Sequence, residues 1–200
     1  TLQLKPIIVT AHLIGGMATF ALLAWALLCL GRRSQVRPPA GRGLAATAVL
    51  VVIAQIFLGG WTSTNYAALS CPDFPTCTGL WWPNTDFREA FTLFREIGVN
   101  YEGGILDATA RATIHHTHRL GAVVVLGVVG WLVLVLLRSP TGRGLGLLVG
   151  VLLSVQIALG ITNVVHDLPL SVATAHNGVA ALLLGSLLMV LARTRREQIR

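Results

Sequence analysis

Five apolar stretches, at 7–30, 44–64, 112–137, 144–165 and 171–192, constrain this chain more than any other feature. Each is long enough to cross a bilayer core of roughly 30 Å, which takes about 20 helical residues. Backbone polar groups inside a membrane find no water, so such runs become helices that satisfy their own hydrogen bonds. Hydrophobic residues make up 54% of the chain and charged residues 12%, too little charge to clothe a soluble domain of this size. The expected fold is an all-α polytopic membrane protein: a four-helix transmembrane bundle plus one further transmembrane helix.

The net charge of +7 invites a nucleic-acid reading, but its placement excludes one. Arg32, Arg33, Arg37 and Arg42 fill the first connection, Arg138 and Arg143 flank another, and Arg193, Arg195, Arg196 and Arg200 make the tail. The short connection at 166–170 has neither Lys nor Arg. That asymmetry is the positive-inside pattern, so the arginine-rich segments are expected on the cytoplasmic side. Asp73, Asp86, Glu89, Glu96, Glu102, Asp107 and Asp167 all fall on the other side.

Two short echoes divide the chain further. "QIFLG" at 55–59 matches "QIALG" at 156–160, and "KPIIVTAH" ending at His12 matches "LPLSVATAH" ending at His176. The first apolar segment therefore reads as the last helix of an incomplete, preceding four-helix half (1–30). A cytoplasmic connection (31–43), a complete four-helix half (44–192, including an outer loop at 65–111) and a cytoplasmic tail (193–200) follow. On this reading the chain begins mid-protein, with earlier helices ahead of Thr1.

The histidines lie where the topology makes them informative. His12 follows Lys5 by seven residues, His118 follows Arg111 by seven, and His176 follows Asp167 by nine. At the helical rise each sits roughly 10–13 Å below its last outer charge. A lone histidine at a helix mouth is ordinarily an interfacial polar residue. Two at matched depth on parallel helices of one bundle read as a ligand pair. A haem iron with two axial histidines fits His118 and His176, because the macrocycle fills the space between helices. Arg119 is placed to meet a propionate, and Gly121 and Gly178 to leave room for a flat ring. Zinc is the rival, but it ordinarily takes four ligands or keeps an open fourth position, and no intramembrane carboxylate accompanies these histidines. His115, one turn before His118, is open between a propionate partner, a gate, an alternative ligand and a polar helix mouth. His116 and His166 read as surface residues. Gln55 and Gln156 are assigned interhelical hydrogen bonding and no chemistry.

The outer loop opens with "CPDFPTC", Cys71 to Cys77. Two prolines stiffen this short ring on the oxidising side, where a disulfide would contribute roughly 2–3 kcal/mol. Free thiols or a metal site are the alternatives. Cys29 reads as a packing residue. Trp81 and Trp82 read as interfacial anchors. "DFREAFTLFREIG" reads as an amphipathic helix with Asp86 and Glu89 at capping-box spacing and a stripe of Phe87, Phe91, Phe94 and Ile97. Such a helix would rest on the membrane, or roof the outer mouth of the bundle.

The segments "GGWTSTNYAALSCPDFPTCTGLWWP", "HHTHRLGAVVV", "QIALGITNVV" and "TAHNGVAALLL" resemble the C-terminal part of the haem A synthase family in its proteobacterial form. The resemblance covers essentially the whole chain. It implies an eight-helix membrane protein of two four-helix halves. The implied reaction oxidises the C8 methyl of haem O to the formyl of haem A, by successive hydroxylation and loss of water. It further implies a haem b cofactor in the C-terminal half, with axial ligands at His118 and His176. The substrate haem would lie in the other half, with His12 as its last-helix histidine, and the outer cysteine pair falls on Cys71 and Cys77. In that family a glutamate precedes the haem-facing histidine of the first half by three residues. The matching slot in this chain is His115, so the catalytic carboxylate is expected outside it and the chain is not expected to be active alone. Implied partners are haem O, the lipid bilayer, haem O synthase and cytochrome oxidase assembly factors, with a homo-oligomer left open. The implied location is the bacterial inner membrane, with the C-terminus cytoplasmic and the long loop periplasmic.

Three functions follow from these readings. The first is haem O oxidation for cytochrome oxidase assembly. The second is a bis-histidine membrane cytochrome b acting only in electron transfer, and the third a metal-ion carrier. The histidine pattern alone does not separate the first two; the resemblance favours the first.

Overall fold

A computed structural model describes residues 4–30, 40–96 and 98–194. Expectations that fall on Arg32, Arg33, Arg37, Ile97, Arg195, Arg196 and Arg200 lie outside the described residues. The rest is helical: α1 (Pro6–Leu30), α2 (Arg42–Thr64), a single turn α3 (Phe87–Ala90), α4 (Ala108–Leu137), α5 (Arg143–Val165) and α6 (Leu170–Arg193). Five of them are long and apolar enough to cross a membrane, making this a multi-pass all-α membrane protein.

Local chemistry explains where the helices begin. Pro6 opens α1, where its missing N–H costs nothing, and Pro169 stands just before α6. Asp107 caps α4 by accepting the Ala110 N–H at 2.7 Å, so α4 starts a turn earlier than the apolar run at 112–137. Its 30 residues span about 45 Å, longer than a bilayer core of roughly 30 Å.

The four helices α2, α4, α5 and α6 form a closed ring, each packing on the next and α6 returning to α2. Among the described residues the diagonal pairs, α4 with α6 and α2 with α5, do not approach closely. Helix α1 lies outside the ring against α2 and α6. Two glycines let it settle there: a Cβ at Gly60 would meet Leu13 at 2.8 Å, and one at Gly185 would meet Phe20 at 3.2 Å.

The ring is packed unevenly along its length. Ala48, Val49 and Val52 on α2, Val129, Leu132 and Leu136 on α4, Val149 and Leu153 on α5, and Leu183, Leu184 and Leu187 on α6 form one buried core at the arginine-rich end. That core stops short of the level at which the glutamines and ligand-type histidines begin.

The outer loop is folded onto the top of α2 and α4. Trp61 is buried and donates its Nε1–H to the Ala90 carbonyl at 2.9 Å, with Ala67, Leu106, Ala110 and Ile114 packed around it. Lys5, at the mouth of α1, donates to the Arg95 carbonyl at 2.5 Å, so the loop also reaches the start of α1. The amphipathic helix expected over 86–98 is cut to α3. Asp86 caps it as foreseen, accepting from Glu89 N–H at 2.9 Å. The reciprocal half of the box is replaced, because Asp86 N–H goes to Thr113 Oγ1 and Glu89 pairs with Arg95 at 2.8 Å. Phe87 and Phe91 still stack at 6.3 Å, while Phe94 points outward.

Candidate functional site

The residue pattern Gln-Ile-x-Leu-Gly places a glutamine and a glycine four apart, on one helix face. On α2 that face meets α4. Gln55 donates from Nε2 to the His118 carbonyl oxygen at 2.9 Å and lies 3.1 Å from His118 Nδ1. One turn on, Gly59 faces the same imidazole; a Cβ there would stand 3.2 Å from His118 Cε1. On α5 the same face meets α6. Gln156 Nε2 lies 3.1 Å from His176 Nε2, and a Cβ at Gly160 would stand 3.3 Å from His176 Cε1.

The two echoed motifs are thus two copies of one device. The histidines occupy one diagonal of the ring, α4 and α6, and the glutamines the other, α2 and α5. Both imidazoles sit beyond the packed core, away from the arginine-rich end. His176 Nδ1 is buried with no hydrogen-bond partner, as are Oε1 of Gln55 and Oε1 of Gln156. Buried polar atoms without partners are uncommon and call for an explanation. Among the described residues no group of three or more His, Cys, Asp or Glu side chains is arranged to hold a metal ion by itself. What the histidine pair offers instead is two nitrogen donors on opposed helices.

Other expected site residues are placed differently. Arg119 is taken up by the loop: its terminal nitrogens donate to the carbonyls of Asp73 at 2.9 Å, Thr76 at 2.7 Å and Cys71 at 2.6 Å. Its guanidinium also lies over the Phe74 ring at 5.9 Å, and its Nε is buried without a partner. Cys71 and Cys77 form the disulfide, with Cα atoms 4.5 Å apart, so Arg119 grips the ring that this bond closes. Asp73 braces the ring from within. It accepts from Thr76 Oγ1, from Thr78 N–H at 2.6 Å and from Gly79 N–H at 2.9 Å. The Thr76 hydroxyl foremost, and then the Gly79 N–H, hold its carboxyl below the usual range.

His115 is buried, 5% exposed, within reach of the Ala67 backbone and with Nδ1 unpartnered. His116 was expected on the surface and is not. It is 7% exposed and meets the Trp82 ring edge-on at 5.1 Å, because the outer extension of α4 is covered by the loop. Gly121 makes room for the Gln55 amide instead of a ligand ring; a Cβ there would fall 2.2 Å from Oε1. Nothing lies within 4 Å of a Cβ at Gly178. His12 is exposed on α1, outside the ring, and His166 is exposed in the α5–α6 turn. Cys29 is half-buried.

Sequence reasoning treated Gln55 and Gln156 as structural and passed over Gly59 and Gly160. The signal was present, since the one motif shared by α2 and α5 contains all four residues.

Comparison with known proteins bears on the same residues. The family model described as cytochrome oxidase assembly protein, COX15-CtaA, matches residues 1–188. A heme A synthase of Shewanella oneidensis is 42% identical over 194 residues, covering 95% of this chain and 59% of that protein. Heme A synthases of Rhizorhabdus wittichii and Methylobacterium radiotolerans are 30% and 33% identical, covering 93% and 88% of this chain and 51% and 46% of theirs. The chain therefore spans about half the length of the curated relatives it matches.

Proposed function

Because the chain belongs to the COX15-CtaA family of cytochrome oxidase assembly proteins, we propose that it works in heme A synthesis, contributing the bundle that holds a haem b cofactor. The overall reaction is the oxidation of the C8 methyl of haem O to the formyl of haem A. The observation that carries this reading is the diagonal pair, His118 on α4 and His176 on α6, each set against a glutamine and a glycine of the neighbouring helix.

The donor set suits haem on three counts. Among the described residues the ligands stand on helices whose backbones do not approach closely, the separation that two ligands on opposite faces of one ring require. The buried, unpartnered Nδ1 of His176 is a donor atom awaiting a partner. And the dense core is confined to the other end of the bundle. When bound, a haem with two imidazole ligands supplies one-electron transfer. The protein's share is to hold both imidazoles against the glutamines of the neighbouring helices and to keep the end of the bundle above His118 covered with the disulfide-closed loop. His12, on the outward face of α1, belongs on this reading to the substrate haem and not to the cofactor. We place the protein in the bacterial inner membrane with the outer loop periplasmic; the arginine asymmetry supports that orientation.

The test is spectroscopic. The purified chain in detergent should give a low-spin haem b spectrum near one haem per chain, with haem type fixed by pyridine haemochrome. Conversion of added haem O to haem A by the longer protein separates this function from electron transfer alone. Well-folded chain without haem, after reconstitution with haem b, would count against it.

A further inference from the structure

Resting on the reading of His118 and His176 as iron ligands, we propose that Gln55 and Gln156 are their positioning residues. Each, with the glycine one turn on, sets the plane of its imidazole and the ring nitrogen presented to iron.

The orientation of the Gln55 amide follows from its partners. The His118 carbonyl oxygen only accepts, so the group 2.9 Å from it must be the amide nitrogen. The second N–H of that nitrogen then points at Nδ1, 3.1 Å away, and makes Nδ1 the acceptor. That is the tautomer of the ring without a metal, its proton on Nε2; a ring giving Nε2 to iron would carry the proton on Nδ1, and a half-turn of the Gln55 amide would bring Oε1 to it in place of the nitrogen. Gly121 permits the first of these poses, since any side chain there would collide with Oε1.

Gln156 makes the same contact to the opposite nitrogen. It reaches His176 Nε2 at 3.1 Å and leaves Nδ1 unpartnered, with no second bond to the backbone. One motif thus presents two inequivalent histidines, His118 held at its ring and its backbone carbonyl and His176 at its ring alone.

Both glutamines keep a buried, unpartnered Oε1. An imidazole that gives one nitrogen to a metal carries its proton on the other and needs an acceptor for it. Each amide carries that acceptor within the group already touching the ring. The glycines supply the remaining constraint. At 3.2 and 3.3 Å from the imidazole Cε1 atoms, a methyl group would force the rings to shift instead of filling empty space.

The experiment compares Gln55→Leu, Gln156→Leu, Gln55→Glu and Gln156→Glu in the full chain loaded with haem b. It reads haem retention against apomyoglobin, the g-values of the ferric state and the midpoint potential. The leucine variants should retain haem about 10–100-fold less well, with shifted g-values as the rings turn. The glutamate variants should keep haem and titrate at lower potential, because a stronger acceptor makes the imidazole a stronger donor. Should a leucine variant fail to fold, the glutamate variants carry the test. Unchanged potential and g-values in them would overturn the proposal. If all four variants match the wild type while His118→Ala loses haem, the positioning role is wrong and the ligation stands. If His118→Ala and His176→Ala both keep normal haem b, ligation is wrong and the positioning role falls with it.

Discussion

The α2–α4 pair and the α5–α6 pair carry the same glutamine, glycine and histidine, yet their surroundings differ. On the α2–α4 side the histidine helix runs up into a folded loop. Asp107 caps it, Thr113 accepts from Asp86, Trp82 lies edge-on to His116, and Arg119 holds three carbonyls of the disulfide ring. On the α5–α6 side there is only a tight turn. Asp167 and Leu168 take left-handed backbone angles of 55° and 61°, and the Leu168 N–H returns to the Asn163 carbonyl at 2.8 Å. Leucine adopts that conformation at a cost of about 1–2 kcal/mol, so the turn is tied down but not roofed. The grip on each ring is therefore local and repeats with the motif. The rigidity of each ligand's helix is supplied by the connection above it, and it differs between the two sides.

The largest effect expected is loss of the ligands themselves. His118→Ala or His176→Ala should each abolish stable haem b binding, whereas His12→Ala should leave it largely intact, as read by haemochrome stoichiometry. Equal loss in all three would erase the distinction between ring and outlying helix.

Next comes the roof. Arg119→Leu removes three charge-assisted hydrogen bonds and leaves their carbonyls to find other partners, at about 1–3 kcal/mol. Reducing Cys71–Cys77 should cost a similar amount, roughly 2–3 kcal/mol, by releasing the closed loop. Hydrogen exchange should then rise at the outer end of α4 and stay unchanged in α6. Parallel increases in both helices would mean that the loop braces the whole bundle.

A smaller effect is expected at the cap. Asp107→Ala should destabilise the first turn of α4 by about 1 kcal/mol, detectable as faster amide exchange around Ala110.

The smallest is a pH effect confined to the loop. Asp73 has its carboxyl held below the usual range by Thr76 first and Gly79 next. Its contribution is therefore fully present above the ordinary carboxylate value of 3.8, and is lost as pH falls through the lower folded value. Loop protection should stay flat from neutral pH down to about that point and decline only below it; Asp73→Asn should remove the decline.

The fold was largely legible because membrane helices announce themselves by length and composition, and the five segments were found within a few residues. The starts that moved did so for local reasons: Asp107 caps α4 ahead of the apolar run, and Arg42 begins α2 ahead of Leu44. Depth counting singled out the two histidines, since the helical rise converts sequence spacing into position along a helix; their role as a ligand pair rests on the proposal. The partners of those histidines were not legible, because Gln55 and Gly59 lie far from His118 in sequence and hydropathy says nothing about rotation around a helix axis. His116 was misread for a related reason: its burial depends on where Trp82 falls, and loops fold by contacts that no periodicity reveals. The apolar stripe after Asp86 failed as a helix because Arg95 turns back to Glu89 and the chain past Phe91 leaves the helical path.

The central claim, that His118 and His176 together hold one haem b iron, is tested most directly by pulsed electron paramagnetic resonance of the oxidised chain grown with ¹⁵N-histidine. A low-spin ferric signal coupled to two imidazole nitrogens, with one coupling lost in His118→Ala and the other in His176→Ala wherever residual haem remains, is the result expected. A high-spin signal, or couplings that persist unchanged in both variants, would contradict it.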